Sequence, residues 1–342
     1  PQLPRLLRVR NLLTLFFCFR IILLIRKKGD KVFIHFWGVR GSIPTPLTPQ
    51  QIQSKIMAAI QRITPQDIES SESRAKFVSS LPSWIFGTAG GNSACVQIKS
   101  GKNELIFDAG SGIRVYGKSN LIPVDRHFNL FFSHFHWDHI QGLPFFDFAY
   151  NPLSSFDIYT PKDNAKELLS QQMISPYYPV TFDSFTKNMN FNKIEPGKAL
   201  QLGDTIINCC EMSHPDSSYS YSIQENNKKV VYATDVELKS KDFEDNPETE
   251  VVFKNADIVI LDSQYTVEEA YRKENWGHSA FCYAIDFAVK WNIKKIYLFH
   301  HEPTYDDKKL HSILQAARWY AQYINHSEIE IYLAKEDMEI NI

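Results

Sequence analysis

Short apolar or alternating runs, each closed by turn residues, dominate the chain from residue 31 onwards. Such runs are typical of β-strands, because successive side chains of a strand point to opposite faces of a sheet. Within 219–235 we expect a hairpin that turns at Asn226 and Asn227. The predicted strands are 31–38, 94–101, 104–110, 128–134, 156–161, 204–212, 219–235, 257–264, 294–301 and 328–334.

Apolar residues at helical spacing predict helices at about 49–63, 163–172, 278–291 and 306–325. Strands come first and later alternate with helices, which indicates sheets covered by helices and not an open β-sandwich. Residues 47–86, between the first two strands, are polar, helical and rich in Ser, Gln and Pro. We interpret them as an insertion in a domain spanning 31–342, either a lid or a dimerisation arm.

Residues 1–30 form an apolar and basic extension before this domain. Their apolar run, from Leu12 to Ile25, is interrupted by Arg20 and is shorter than the roughly 20 residues that span a bilayer. No small-residue cleavage site follows, so a secretory signal is not indicated. Two interpretations stay open, namely membrane contact through residues 5–28 and a loosely attached extension.

Composition, net charge and cysteine spacing limit the classes of protein to which this chain can belong. With 342 residues, 44% of them hydrophobic, the chain can bury a substantial core. A net charge of -2 argues against a generally basic nucleic-acid-binding protein. Its five cysteines show no Cys-x-x-Cys spacing, so neither a disulfide framework nor a thiolate zinc site is indicated, and a reducing, cytoplasmic location is expected.

The segment HFHWDH places three histidines and an aspartate directly after a predicted strand. Residues i and i+2 of an extended segment share a face, so His134 and His136 can converge on one point. Asp138 and His139 belong to the turn that follows, and they could hold a second metal. Imidazole and carboxylate groups suit zinc and similar metals, and burying four such groups without a cation would be costly.

Further ligands are expected at the ends of later strands. His214, Asp235 and His300 each follow or close such a strand. Asp235 is the natural bridge, since one carboxylate can offer an oxygen to each of two metals about 3.5 to 4 Å apart. His214 would complete the first site and His300 the second. His301 competes with His300, because neighbouring strand residues point to opposite faces, and we favour His300.

Together, HFHWDH, His214, Asp235 and His300 resemble the metallo-β-lactamase superfamily, from about Val32 to the C-terminus. The resemblance implies an α/β fold, a four-layer αββα sandwich that holds one or two metals at the edge of paired sheets. FWGVRGSIPTP, AGGNSACVQI, LIFDAGSGIR and WGHSAF are similar to the phosphodiesterase branch. That branch contains tRNA 3′-end-processing endonucleases and bacterial cyclic-phosphate phosphodiesterases, although no long exosite arm or β-CASP domain is recognisable here.

The resemblance also implies two catalytic residues. In that branch the histidine of a GHS segment approaches the scissile phosphate and is held by an acidic residue; here these would be His278 and Asp262. The tRNA-processing enzymes carry glutamate where Asp262 stands. The alternative for His278 is a helix-start residue bonded to local backbone.

Two metal ions, zinc or manganese, would lower the pKa of a bound water molecule and supply hydroxide for attack on phosphorus. Arg40 and Asn92 are candidate substrate-binding residues, since the guanidinium fork of Arg40 suits phosphate and Asn92 could orient a ligand. A structural salt bridge is the alternative for Arg40. Asp108 is expected to support the metal-site loop.

The predicted activity is hydrolysis of a phosphodiester bond, in a cyclic nucleotide or another small cyclic phosphate. The preference for a small substrate comes from the lack of a marked basic run or RNA-binding arm in the catalytic region. The alternatives are a tRNA 3′-processing-like endoribonuclease with RNA as its partner, a lactone, thioester or lactam hydrolase, and a non-enzymatic module stabilised by metal. A homodimer, with 47–86 as its interface, is a further prediction.

Overall fold

Two seven-stranded mixed sheets form the centre of the computed structural model, which describes residues 32–342. The first has the order β14-β1-β2-β3-β4-β5-β6 and the second the order β13-β12-β11-β10-β9-β8-β7. The strands are β1 (Phe33–Gly38), β2 (Cys95–Ser100), β3 (Asn103–Phe107), β4 (His127–Phe131), β5 (Ser155–Thr160), β6 (Met189–Lys193), β7 (Leu200–Leu202), β8 (Thr205–Met212), β9 (Ser218–Glu225), β10 (Lys228–Ala233), β11 (Ile258–Asp262), β12 (Lys295–Phe299), β13 (Glu330–Leu333) and β14 (Glu339–Asn341).

Helices connect these strands and cover the sheets. The described residues form α1 (Pro49–Ile60), α2 (Ser71–Ser80), α3 (Ser83–Phe86), α4 (Gly112–Tyr116), α5 (Trp137–Ile140), α6 (Ala165–Gln171), α7 (Pro247–Phe253), α8 (Val267–Arg272), α9 (Phe281–Lys290) and α10 (Asp307–Tyr323). Short 3₁₀ turns occur at Pro65–Ile68, Leu143–Phe145, Asp147–Tyr150, Phe182–Ser184 and Ser240–Phe243. The four predicted helices correspond to α1, α6, α9 and α10. Several of the others are too short for a helical period to show in the sequence.

The buried side chains separate into three layers, which follow from the alternation of side chains along each strand. One apolar cluster lies between the two sheets, a second lies between the outer face of the first sheet and its helices, and a third covers the outer face of the second sheet. Representative members of these clusters are, in that order, Phe36, Phe107, Tyr221 and Ile260; Trp37, Ile113 and Phe128; and Leu261, Ala284 and Ala317. The predicted αββα sandwich is therefore confirmed.

Strand direction places several loops at shared edges of the sheets. β10, β11 and β12 are parallel neighbours, so the loops that follow them emerge at the same edge of the second sheet. The predicted hairpin is confirmed by antiparallel pairing of Glu225 with Lys228. Its turn residues Asn226 and Asn227 have φ of 47° and 62°, which matches the type I′ turn that favours asparagine.

Helices α1 to α3 lie between β1 and β2, in the segment that the sequence marks as an insertion. Lys55 of α1 ties this segment to the helix α10, because its Nζ is 2.7 Å from Oδ2 of Asp307. The same Nζ donates to the backbone carbonyls of Trp84 and Gly87. The homodimer expected through this segment stays a prediction.

We expect Lys55→Met to lower the free energy of unfolding by about 3 kcal/mol, because Asp307 would keep a buried charge without its cation. Urea denaturation followed by circular dichroism measures this change. Lys76→Met is the matched control, since Lys76 is an exposed residue of α2, and it should shift stability by less than about 0.5 kcal/mol. Equal unfolding midpoints for the two variants would show that the Lys55 contact contributes little.

The predicted extension at 1–30 and its membrane contact through 5–28 lie outside the described residues. Within 32–342, the helices are all too short or too polar to cross a membrane.

Candidate metal centre and active site

The HFHWDH segment forms a loop followed by one helical turn. β4 ends at Phe131, earlier than the predicted strand end, and His136 stands immediately before α5. The strand stops because the backbone N–H and the hydroxyl of Ser133 both donate to the Asp108 carboxylate, at 2.8 and 2.7 Å. The chain therefore leaves the sheet in the direction of the other candidate ligands.

The first group of candidate ligands combines this loop with residues that follow β8 and β10 of the second sheet. His134, His136, His214 and Asp235 place their ligand atoms within 4.8 Å of one another. Nε2 of His214 is 3.2 Å from Nδ1 of His136. Nε2 of His134 is 3.5 Å from Oδ2 of Asp235. This is the set predicted for the first metal.

The second group lies beside the first and is more deeply buried. It consists of Asp138, His139, Asp235 and His300, all buried, again with ligand atoms within 4.8 Å. Nε2 of His300 is 3.1 Å from Oδ2 of Asp138 and 3.2 Å from Nε2 of His139. The structure thus brings together all seven side chains predicted to bind metal.

Asp235 belongs to both groups through different oxygens. Its Oδ2 faces the first group, 3.5 Å from Nε2 of His134 and 3.9 Å from Nε2 of His214. Its Oδ1 faces the second, 3.1 Å from Nε2 of both His139 and His300. A carboxylate in this position can give one oxygen to each of two metals.

Three histidines are oriented by acceptors on their other ring nitrogen. Nδ1 of His139 is 2.8 Å from Asp108, which confirms the predicted support of the metal-site loop. Nδ1 of His300 is 2.8 Å from Oε1 of Gln264, and Nδ1 of His214 is 2.8 Å from the Gly277 carbonyl. Such contacts fix the ring so that Nε2 points towards a metal.

Gln264 and Gly277 were not predicted from the sequence as supports of these histidines. Both stand within segments that carry a catalytic candidate, because Gln264 comes two residues after Asp262 and Gly277 directly precedes His278. The available signals were a polar residue just after a strand, for Gln264, and a glycine next to a candidate catalytic histidine, for Gly277. They were too weak to assign a partner without the fold.

Charge and burial show that these residues fit metal ions. Burial raises the pKa of Asp235, but the neighbouring imidazoles outweigh it and hold that pKa well below its usual range. Burial lowers the pKa of His134 far below its usual value, so its ring is neutral and carries a lone pair. Nε2 of His134 is buried and has no hydrogen-bond partner among the described residues. Buried carboxylates beside an unpaired imidazole nitrogen are the donor set of a divalent cation.

Backbone geometry brings the ligands close together. Asp235 and His300 have φ of 52° and 59°, in the left-handed region that costs free energy for residues other than glycine. Close approach of the histidine rings to the backbone also explains why glycine stands at two positions. A Cβ on Gly41 would lie 2.5 Å from Nδ1 of His300, and one on Gly277 would lie 2.2 Å from Nδ1 of His214. The dense packing of the centre therefore depends on both glycines.

The catalytic candidates lie next to the second group. Nδ1 of His278 is 2.7 Å from Oδ2 of Asp262, whose side chain is fully buried. The His278 ring stacks on His300 with 4.9 Å between centroids. Burial acts to lower the pKa of His278, but the charge and hydrogen bond of Asp262 outweigh it and raise that pKa to about 9. The pair predicted from the sequence is thus formed in the structure.

The side chain of Arg40 makes structural contacts with backbone carbonyls. Its side chain is 2% exposed, and Nε donates to the Gly90 carbonyl at 2.8 Å. Nη1 donates to the carbonyls of Tyr305 and Glu302. The guanidinium of Arg40 is thus buried and bonded to three loop carbonyls, and its substrate contact stays a prediction. Arg40 makes hydrogen bonds to backbone carbonyls in place of the salt bridge that was the structural alternative.

Asn92 also has protein partners. Its Nδ2 donates to Glu336 at 3.0 Å, and its Oδ1 accepts from the hydroxyl of Ser111 at 3.0 Å. A ligand contact for Asn92 stays a prediction. His301 points away from the metal centre, with Nε2 2.8 Å from the Ala334 carbonyl. Burial lowers the pKa of His301 to about 3, so its ring is neutral.

An open cavity of about 490 Å³ gives access to the centre. Asp138, Asp235, His278 and His300 all line it, together with the aromatic side chains of Phe135 and Trp137. Candidate ligands and the candidate catalytic histidine therefore face the same space, as a reacting substrate would require.

Comparison with known proteins supports this arrangement. A family model described as Beta-lactamase superfamily domain matches residues 103–301, more than half of the chain. A curated relative from Picrophilus torridus, named Ribonuclease Z, is 22% identical over 282 residues, which covers 69% of this chain and 86% of the relative.

Solved structures show the same fold. The metallo-beta-lactamase fold protein YhfI from Bacillus subtilis superposes with a TM-score of 0.61 at 16% identity, covering 92% of this chain and all of that one. The short form of human tRNase Z superposes with a TM-score of 0.56 at 15% identity, covering 90% of this chain and 98% of that one. The predictions of the superfamily and of a metal-dependent hydrolase are confirmed, and the fold implies divalent metal ions. The chain belongs to the beta-lactamase superfamily.

Proposed function

We propose that this hydrolase is a phosphodiesterase that uses two divalent metal ions, zinc or manganese, bound by the two groups of ligands that share Asp235. The position of Asp235 carries the proposal. Its two oxygens face two separate sets of imidazole nitrogens at 3.1 to 3.9 Å. Two-metal sites of this kind are common in enzymes that cleave phosphate esters, where they clamp the attacking and leaving oxygens.

Bound divalent ions would supply an activated water and neutralise phosphate charge. Side chains of the protein would supply the proton donor and hold it in position. His278 faces the same cavity and would donate a proton or hydrogen bond from Nε2 to the leaving oxygen, since Asp262 occupies its Nδ1. Asp262 acts by positioning His278. Its own orientation is maintained by the backbone N–H groups of Val236 and Gln264, at 3.3 and 3.1 Å.

For the substrate, we propose a cyclic nucleotide or another small cyclic phosphate. The cavity of about 490 Å³ is within the range for small ligands, and the net charge of -2 is unlike that of a general RNA binder. A tRNA 3′-processing endoribonuclease is the second candidate, because the curated relative from Picrophilus torridus is named Ribonuclease Z.

Removing the metal should abolish phosphodiester cleavage, because the unloaded centre would lack the activated water. The experiment measures the initial rate on bis(p-nitrophenyl) phosphate for protein stripped with a chelator and reloaded in parallel with zinc or manganese. We expect turnover to return with at least one of the two metals. Equal rates before and after stripping would contradict a metal-dependent reaction, and no turnover with either metal would contradict a phosphodiesterase.

A substrate panel then separates the candidates. Metal-loaded protein is assayed on 3′,5′-cyclic AMP, 2′,3′-cyclic AMP, a precursor tRNA with a 3′ trailer, and a lactone. A higher kcat/KM for either cyclic nucleotide supports our first proposal. Preferred cleavage of the precursor at its 3′ end supports the second. Preferred lactone hydrolysis would contradict both.

A further inference from the structure

A second cavity opens beside the metal centre. It has a volume of about 800 Å³ and shares two lining residues, Phe135 and Trp137, with the cavity over the metal ligands. Three of its aromatic side chains are unusually accessible, since Trp137 is 79%, Phe145 56% and Tyr177 81% exposed. Large apolar side chains gathered at one exposed cavity commonly mark a binding site.

The wall of this cavity is built by α5, α6 and the chain around residues 143–178. Its position is set by hydrogen bonds, because the hydroxyls of Tyr150 and Tyr178 both donate to the Pro144 carbonyl at 2.8 Å. The rings of Phe145 and Tyr178 pack edge to face, with 5.8 Å between centroids and 86° between planes. The part of the aromatic wall formed by Phe145 and Tyr178 is therefore held in place before any ligand binds.

The chemistry of the lining fits a flat, uncharged and partly polar ligand. All of the side chains that line it are uncharged, and its polar groups include the amides of Gln141, Gln171 and Gln172. The Nε2 atom of Gln172 has no hydrogen-bond partner among the described residues. Amide side chains match the donor and acceptor edges of nucleobases, and aromatic faces stack on them. A free anion or cation would find no complementary charge there.

We propose that this second cavity binds the nucleobase of a nucleotide phosphodiester whose scissile phosphate lies at the metal centre. The inference rests on the proposed phosphodiesterase function and names its substrate class. Trp137 is the main stacking surface, because it lines both cavities and stands between His136 and Asp138 in the sequence. A base on Trp137 would place the attached phosphate next to those two ligands.

The test compares two esters with the same leaving group, using metal-loaded protein. One is the p-nitrophenyl ester of thymidine 5′-phosphate, which carries a base, and the other is methyl p-nitrophenyl phosphate, which does not. We expect kcat/KM to be at least about tenfold higher for the nucleoside ester, mainly through a lower KM. Trp137→Ala and Tyr177→Ala should each reduce this ratio severalfold, whereas Trp137→Phe should largely preserve it.

Tyr323→Ala is the matched control, because Tyr323 is 70% exposed and lines neither cavity. It should leave the ratio unchanged. If Trp137→Ala disturbs the neighbouring metal ligands, the rates of cleavage of both esters will fall equally. The effect of Tyr177→Ala on the ratio then decides whether the second cavity binds the base.

Failure of the nucleobase proposal and failure of the proposed phosphodiesterase activity give different results. Cleavage of both esters at similar kcat/KM would contradict nucleobase binding in the second cavity. It would not contradict the phosphodiesterase activity. A nucleoside preference that survives in both Trp137→Ala and Tyr177→Ala would also contradict nucleobase binding in that cavity. Cleavage of neither ester, with zinc or with manganese, would overturn the proposed function and this inference together.

Discussion

Asp235→Asn is expected to remove bound metal and phosphodiesterase activity together. The amide keeps the size of the carboxylate but loses its charge and offers only one oxygen, so it cannot serve both groups of ligands. Asparagine also tolerates the left-handed backbone at this position, where φ is 52°, so the variant tests the bridge without added backbone strain. We expect activity to fall at least about 100-fold, by comparison with the losses that follow from weaker changes around metal ligands.

The measurement is metal content per chain after gel filtration, taken beside the rate on bis(p-nitrophenyl) phosphate. Asp337→Asn is the matched control, since Asp337 also has a positive φ, of 60°, and is absent from the candidate ligand groups. It should keep both metal and activity. Two tightly bound metal ions in Asp235→Asn would show that Asp235 is not the bridge.

His278→Ala is expected to give the opposite combination, with metal retained and turnover largely lost. His278 stacks on His300 but is not a member of either group that contains Asp235, so both sets of ligands stay complete. The loss of a positioned proton donor should lower kcat by about 10² to 10⁴. Metal analysis and single-substrate kinetics on the same preparation measure both quantities.

Two further variants sharpen this test. His326→Ala removes a histidine that contacts Glu328 away from the centre, and it should leave kcat unchanged. Asp262→Asn should lower kcat mainly through His278, so the double variant should lose little more than His278→Ala alone. Full activity of His278→Ala would exclude the proposed proton donor. Additive losses in the double variant would show that Asp262 and His278 act independently.

Local sequence patterns predicted much of the fold. The alternation in 219–235 and its two asparagines identified the hairpin, because a type I′ turn depends on local backbone preference. The pattern over 128–134 extended the strand too far, because Ser133 donates to Asp108 on the neighbouring strand end. The edge strands β7 and β14, of three residues each, were too short for alternation to show.

The candidate site was predicted to the extent that it depends on residue type and strand ends. HFHWDH, Asp235 and His300 are brought together as expected, because ligand chemistry and the ends of parallel strands are both readable from sequence. The contacts of Arg40 were not predictable, for the converse reason. Its hydrogen-bond acceptors, the carbonyls of Gly90, Glu302 and Tyr305, are distant in sequence and meet it only in the folded chain.

The sequence by itself determined the donor set of the metal centre, the pairing of His278 with Asp262 through resemblance, and the alternation of sheet and helix. The tertiary structure decided which atoms face each other. In the folded chain His300 faces the metal centre and His301 faces the Ala334 carbonyl. One oxygen of Asp235 faces each of the two groups of candidate ligands. The tertiary structure also formed the aromatic cavity beside Trp137. These features depend on long-range packing, since a local pattern specifies which face a residue occupies but not which distant groups meet it there.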